Sequence, residues 1–347
     1  MTTAEARRAV LRDWFRALSD VPGSVVDLQP VAGDASFRRY YRVAKPGGGT
    51  LILCDAPPAQ EKSREFAAVA RALADAGVRV PEVLEANFED GFLVLEDLGD
   101  QLLLPELSPE NVDTYYARAL EIQQRIATIA TGSLALPAYD AARLIEEMDL
   151  FPRWFCEGLL GMPLTADELS TYAQFRMRLV ERALAQPQVV VHRDFHSRNL
   201  MLLADGDLAV IDFQDAVIGP LSYDPVSLLR DCYLRWPAAD VQRWAREHRH
   251  RLEDAGIEVP RESEFLVDFD WMGLQRHIKV LGIFARLKLR DGKSAYLEDL
   301  PRVAAYVGET LAQYSQEPAI RAFAAWFEAR VLPRVEQQPW YSNAEPS

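Results

Sequence analysis

Two short apolar runs, Val189-Val190-Val191 and Leu200-Met201-Leu202-Leu203, bracket the eight residues His192-Arg193-Asp194-Phe195-His196-Ser197-Arg198-Asn199. Apolar runs of this length, bounded by polar segments, read as short buried strands. The octapeptide between them is then a tight loop. An aspartate and an asparagine spaced like Asp194 and Asn199 can share one active centre. The carboxylate would lie near a substrate hydroxyl, and the amide oxygen on a magnesium ion.

A second motif begins 18 residues after Asp194. Leu208-Ala209-Val210-Ile211 is another apolar run and ends in Asp212-Phe213-Gln214-Asp215, with Asp205-Gly206-Asp207 as the turn before it. The runs on either side of that turn are expected to pair as a hairpin. Such a hairpin joins the loops of Asp194, Asn199 and Asp212, so the three can converge on one metal–phosphate centre.

With 347 residues and 49% hydrophobic composition, the chain exceeds the length at which a single core stops growing, and two lobes are expected. The net charge of −14, from 38 basic and 52 acidic residues, disfavours nucleic acid or an anionic membrane as partner, because both need basic patches. Cys54, Cys156 and Cys232 are widely spaced in apolar surroundings. They read as reduced core residues rather than a disulfide framework or zinc site. Residues 2–19 alternate charged and apolar positions at helical period, unlike a signal peptide, and no later run reaches membrane-spanning length. A cytoplasmic monomer acting on a small molecule is the expectation.

Periodicity predicts a helix over 3–19, strands near 24–31, 36–44 and 50–55, a helix over 60–76, and strands near 83–88 and 91–96. From Ser108 the pattern is mostly helical, with helices over 109–130, 139–160, 166–185, 222–234, 238–254, 262–289, 294–314 and 317–331. The expected fold class is α+β: a small β-rich N-lobe with one main helix over 1–98 and a large, mostly helical C-lobe over 99–347.

His192-Arg193-Asp194 with Asn199 fits the kinase catalytic-loop pattern H-R-D-x-x-x-x-N, and Asp212-Phe213 resembles the start of the kinase D-F-G. With Gly33-Asp34-Ala35-Ser36, Tyr41-Arg42-Val43 and Glu96-Asp97-Leu98-Gly99, these residues resemble the aminoglycoside phosphotransferase family of small-molecule kinases. Gln214 in place of the D-F-G glycine argues against a protein kinase. The strings Leu53-Cys54-Asp55-Ala56-Pro57-Pro58, Leu228-Leu229-Arg230-Asp231-Cys232-Tyr233 and Gln275–Phe284 look like bacterial anomeric amino-sugar kinases. That likeness implies a bilobal protein-kinase-like fold, ATP and Mg²⁺ as cofactors, and phosphorylation at C1 of N-acetylmuramate and N-acetylglucosamine in cell-wall recycling.

The resemblance gives Asp194 the role of catalytic base and makes Asn199 and Asp212 the magnesium ligands. Gly33, Ser36, Phe37, Arg38, Glu96 and Leu98 become candidate nucleotide contacts, the last two through a hinge whose backbone would meet adenine. His196, Arg198, Gln214, Asp215, Asp224 and Arg230 become candidates for the sugar pocket, with capping as a second role for Asp224. Arg198, Arg230, Arg276 and His277 are the candidates for a lactyl carboxylate. The third strand reads Leu51-Ile52-Leu53-Cys54-Asp55, without the usual kinase lysine, and the chain has only five lysines. Arg38, Arg39 or Lys45 would supply the missing cation, and Glu65 stands where the helix glutamate belongs. A kinase of aminoglycoside, choline or homoserine type is the alternative, as is a nucleotide-binding pseudokinase. The basic stretch 272–293 favours an anionic or neutral acceptor over a cationic one.

Overall fold

The computed structural model describes residues 4–18, 27–31, 37–45 and 47–341. Its first elements are α1 (Ala4–Leu18), β1 (Gln29–Pro30), β2 (Arg39–Ala44), β3 (Thr50–Asp55), α2 (Ser63–Asp75), β4 (Val83–Asn87) and β5 (Phe92–Glu96). The strands form one antiparallel sheet in the order β1-β2-β3-β5-β4. Side chains alternate across a strand. Tyr41, Val43 and Leu53 therefore share one face, where they pack with Leu11 and Phe15 of α1, Leu28, Phe92 and Val94. The spacing of Phe66, Val69, Ala70 and Leu73 gives α2 its single buried stripe.

The chain continues with α3 (Val112–Ala127), α4 (Ala141–Met148), a π-helical segment (Phe151–Leu159), α5 (Ala166–Ala185) and β6 (Gln188–Val191). Next come β7 (Leu200–Leu202), β8 (Leu208–Val210), β9 (Val217–Pro220), α6 (Tyr223–Leu229) and α7 (Ala238–Asp254). The last helices are α8 (Glu262–Asp291), α9 (Leu300–Gln313), α10 (Pro318–Trp326) and α11 (Leu332–Glu336).

The chain groups into two compact units, residues 1–107 with 198–215 and residues 108–197 with 216–347. Main-chain bonds hold the hairpin β7–β8 in the first unit. Leu103 N–H donates to Leu200 O and Leu202 N–H to Gln101 O, each at 2.8 Å. Val210 N–H donates to Arg79 O, also at 2.8 Å. The expected pairing of the runs at 200–203 and 208–211 is present. The strand β6 instead pairs with β9, whose short Val-Ile-Gly-Pro sequence carries no clear strand signal.

In the second unit α8 runs for 30 residues, and most of its side chains are buried. Gly282 lets α8 approach the start of the π-helical segment: a Cβ there would lie 2.6 Å from Leu150 Cβ and from Phe151 N. The helix stops at Gly292, whose φ of +71° suits only glycine well. The expected helix over 222–234 ends at Leu229, and the one over 139–160 divides into α4 and the π-helical segment. Among the described residues no helix is long and apolar enough to cross a membrane.

Candidate active site

Asp194 lies in the second unit, directly after β6. Asp224, fully buried at the start of α6, fixes this loop by accepting the N–H of His192 at 2.7 Å and of Arg193 at 2.9 Å. Both its oxygens are thus engaged with the loop backbone, so Asp224 braces the loop. Ser197 is held in the same way: its N–H and hydroxyl donate to Asp231 at 3.0 and 2.6 Å. Asp231 accepts Tyr233 N–H as well, at 3.0 Å.

Arg193 has a φ of +80°. This left-handed conformation costs a residue bearing a Cβ roughly 1–2 kcal/mol. Its guanidinium pairs with the buried Glu147 of α4. Glu147 also accepts the Tyr139 hydroxyl and pairs with Lys279 Nζ of α8 at 3.0 Å. Lys279 in turn donates to the Tyr223 hydroxyl at 3.0 Å. Two cations on one carboxylate leave surplus positive charge in this cluster. Burial pushes the Asp194 carboxyl up, but Lys279, then His196, Arg193 and Arg276, outweigh it and hold the carboxyl below its usual range. Asp194 is therefore an ionised carboxylate on a braced loop, and it is only half-buried.

The His196 ring meets the Tyr233 edge at 5.3 Å. Arg230 is committed to Asp270, which also accepts Gln313 Nε2 at 2.9 Å and the Tyr314 hydroxyl at 2.6 Å. His277 donates from Nε2 to Arg230 O at 3.0 Å and stacks on Tyr306. Burial pushes its imidazole down to about 3, so it is neutral and is no partner for a carboxylate.

Asn199 and Asp212 fall in the first unit, side by side at the open end of the β7–β8 hairpin where the chain enters β7 and leaves β8. Ile211 N–H donates to Asn199 O at 3.0 Å, and Asn199 Nδ2 donates to Asp212 Oδ2 at 3.3 Å. Gln214 Nε2 donates to the other Asp212 oxygen. The structure thus brings Asn199, Asp212 and Gln214 together, while Asp215 and Arg198 are exposed. Asp212 has a φ of +65°; among the described residues it and Arg193 are the two non-glycine residues with positive φ. One carboxylate and one amide oxygen are hard donors of the kind Mg²⁺ takes together with phosphate oxygens. Among the described residues no cluster of three or more His, Cys, Asp or Glu side chains would cage a metal by itself.

Of the expected nucleotide contacts, Gly33 and Ser36 lie outside the described residues. Phe37 is exposed, and its N–H donates to Glu61 at 3.1 Å. Arg38 is buried and pairs through Nε with Glu61 at 3.1 Å. Glu96 pairs with Arg79, which holds its carboxyl below the usual range. Leu98 is half-buried just beyond β5. Glu65 is exposed on α2, so Glu61 and not Glu65 carries the ion pair near this helix. Sequence reasoning passed over Glu61, Tyr139, Glu147 and Asp231 as site residues. Lys279 offered a signal as one of five lysines, set inside an apolar run.

An antiparallel-sheet unit and a helical unit with these motifs define the kinase-like fold. Solved structures share it. A choline kinase from Streptococcus pneumoniae superposes with a TM-score of 0.60 at 16% identity, over 88% of this chain and 99% of that one. An amicoumacin kinase in complex with AMP-PNP, Ca²⁺ and its ligand gives 0.60 at 15% identity, over 90% and 96%. Residues 27–266 match the model of the phosphotransferase enzyme family, and the chain belongs to that family. A curated relative from Pseudomonas putida, named N-acetylmuramate/N-acetylglucosamine kinase, is 41% identical over 87% of this chain and 88% of its own length. A relative of the same name from Pseudomonas aeruginosa is 43% identical over 83% and 84%.

Proposed function

We propose that this enzyme transfers the γ-phosphoryl group of ATP to the anomeric hydroxyl of N-acetylmuramate or N-acetylglucosamine, yielding the sugar 1-phosphate for peptidoglycan recycling. The observation that carries the reaction type is Asp194: half-buried, ionised by its cationic neighbours and fixed through its loop backbone. The names of the two Pseudomonas relatives support the acceptor.

In this reading Asp194 orients the C1 hydroxyl and takes its proton. Positioning supplies much of the rate in phosphoryl transfer, whose transition state is loose and charge-rich. The anomeric hydroxyl is more acidic than an ordinary alcohol, so a plain carboxylate suffices as base. Asn199 and Asp212 would hold Mg²⁺, which when bound neutralises charge on the nucleotide phosphates. The backbone beyond Glu96 and at Leu98 would meet adenine, and His196, Gln214 and Asp215 remain candidates for the sugar hydroxyls. Three free, buried cysteines fit a cytoplasmic enzyme.

An ATP-consumption screen over N-acetylmuramate, N-acetylglucosamine, choline and kanamycin, with NMR to locate the phosphate, tests the reading. The expected product is an anomeric phosphate. Asp194→Asn should abolish its formation and leave ATP binding largely intact. Phosphate at C6, or normal turnover by the variant, would sink the mechanism.

A further inference from the structure

The kinase reading needs a cation for the nucleotide phosphates, and β3 lacks the lysine that usually supplies it. Asp55 ends that strand fully buried, accepting Arg7 Nε at 2.8 Å and Arg39 at 3.2 Å. Both arginines are therefore engaged by Asp55 on the α1 side of the sheet. In the antiparallel register Arg39 faces Asp55 and Tyr40 faces Cys54. Alternation then puts Arg38, Tyr40 and Cys54 on the face opposite α1.

Arg38 is 4% exposed. Its contacts include the ion pair with Glu61 at 3.1 Å and the Phe66 ring 5.0 Å beneath its guanidinium carbon. Phe66 stacks on Phe213 at 4.8 Å, and Phe213 follows Asp212 directly. All of these residues belong to the first unit.

We propose that Arg38, oriented by Glu61, is the cation that receives the nucleotide phosphates, so that an arginine just before β2 and a glutamate before α2 replace the usual lysine–glutamate pair. The assignment rests on the kinase reading above and adds the residue that performs this task. An arginine offers a rigid fork of donors to phosphate oxygens where a lysine offers a point charge. Glu61 keeps the fork in one orientation and does not touch the nucleotide, so it is a positioning residue.

Calorimetric titration of the full chain with ATP and, separately, with adenosine tests the assignment. Arg38→Met should weaken ATP binding by about tenfold to a hundredfold, the range for losing hydrogen bonds between charged groups. Adenosine affinity should stay within about twofold, because the hinge does not involve Arg38. Arg38→Lys should recover part of the loss, and Glu61→Gln should lose less than Arg38→Met. Unchanged ATP affinity in Arg38→Met, with the wild type active on a sugar, overturns this assignment alone. Equal losses for ATP and adenosine also overturn it, as they mark a structural role. A wild type that binds neither ligand overturns the kinase reading together with it.

Discussion

Replacing Glu147 by leucine removes the one carboxylate that receives both Arg193 and Lys279, while approximately keeping side-chain volume. Lys279 is 5% exposed, so this surviving cation cannot turn to water without unpacking α8. Breaking a buried pair by removing one partner costs roughly 3–5 kcal/mol, most of it the desolvation of the charge left behind. At about 2–4 °C per kcal/mol, the thermal midpoint should fall by roughly 6–20 °C. The pH dependence has a defined sign. Burial pushes the Glu147 carboxyl up, but Lys279, then Arg193 and Tyr139, outweigh it and bring it below its ordinary value. Its stabilising contribution is then complete above the unfolded-state value, about 4.3, and is lost as pH falls through the folded-state one. The deficit of Glu147→Leu should therefore be largest at neutral pH and shrink in acid. Differential scanning fluorimetry from about pH 2.5 to about pH 7 measures this, a range that spans the carboxylate titration. The double variant Glu147→Leu/Lys279→Met removes one charge of each sign, and should recover part of the loss. A single variant melting within about 2 °C of wild type at neutral pH, or a double variant less stable than the single, refutes the reasoning.

Two further outcomes follow from packing. Gly282→Ala should destabilise the protein by about 3 kcal/mol, at the upper end for overpacking, because one of the two atoms a Cβ meets at 2.6 Å is backbone; urea unfolding checks it, and a loss below about 0.5 kcal/mol would show that α8 shifts freely. Burial pushes the thiols of Cys54 and Cys232 up to about 12, and that of Cys156 up as well. Iodoacetamide should label none of them until the chain is unfolded, and rapid native labelling followed by mass spectrometry would contradict the buried environment.

Much of the candidate site was readable because its residues are close in sequence. Asp194 and Asn199 share one loop, and the hairpin to Asp212 turns at Asp205-Gly206-Asp207, so local turn chemistry announces the motif. The bracing residues were not readable in that way. Glu147 lies 46 residues from Arg193, and Asp231 lies 34 from Ser197. Nothing in α4 separates Glu147 from its exposed neighbour Glu146 except which face the helix buries. The same limit applies to Arg38 and Glu61, which meet only once the sheet register and α2 are both in place. Helix lengths were legible wherever amphipathic period and caps agreed: α5 spans the expected 166–185, and its capping box of Thr165 and Glu168 marks the start. Where the last turns become π-helical, as at 151–159, period alone ran the segments together.

The positive φ angles at Arg193 and Asp212 bear on how this enzyme should be engineered. Each stores backbone strain inside a loop of the candidate site, and glycine at either position would relax it. A directed-evolution campaign that scores heat resistance alone would thus reward Asp212→Gly while discarding the proposed metal ligand. Each round of such a campaign needs a turnover screen beside the melting screen, or the most robust clones recovered will be catalytically silent.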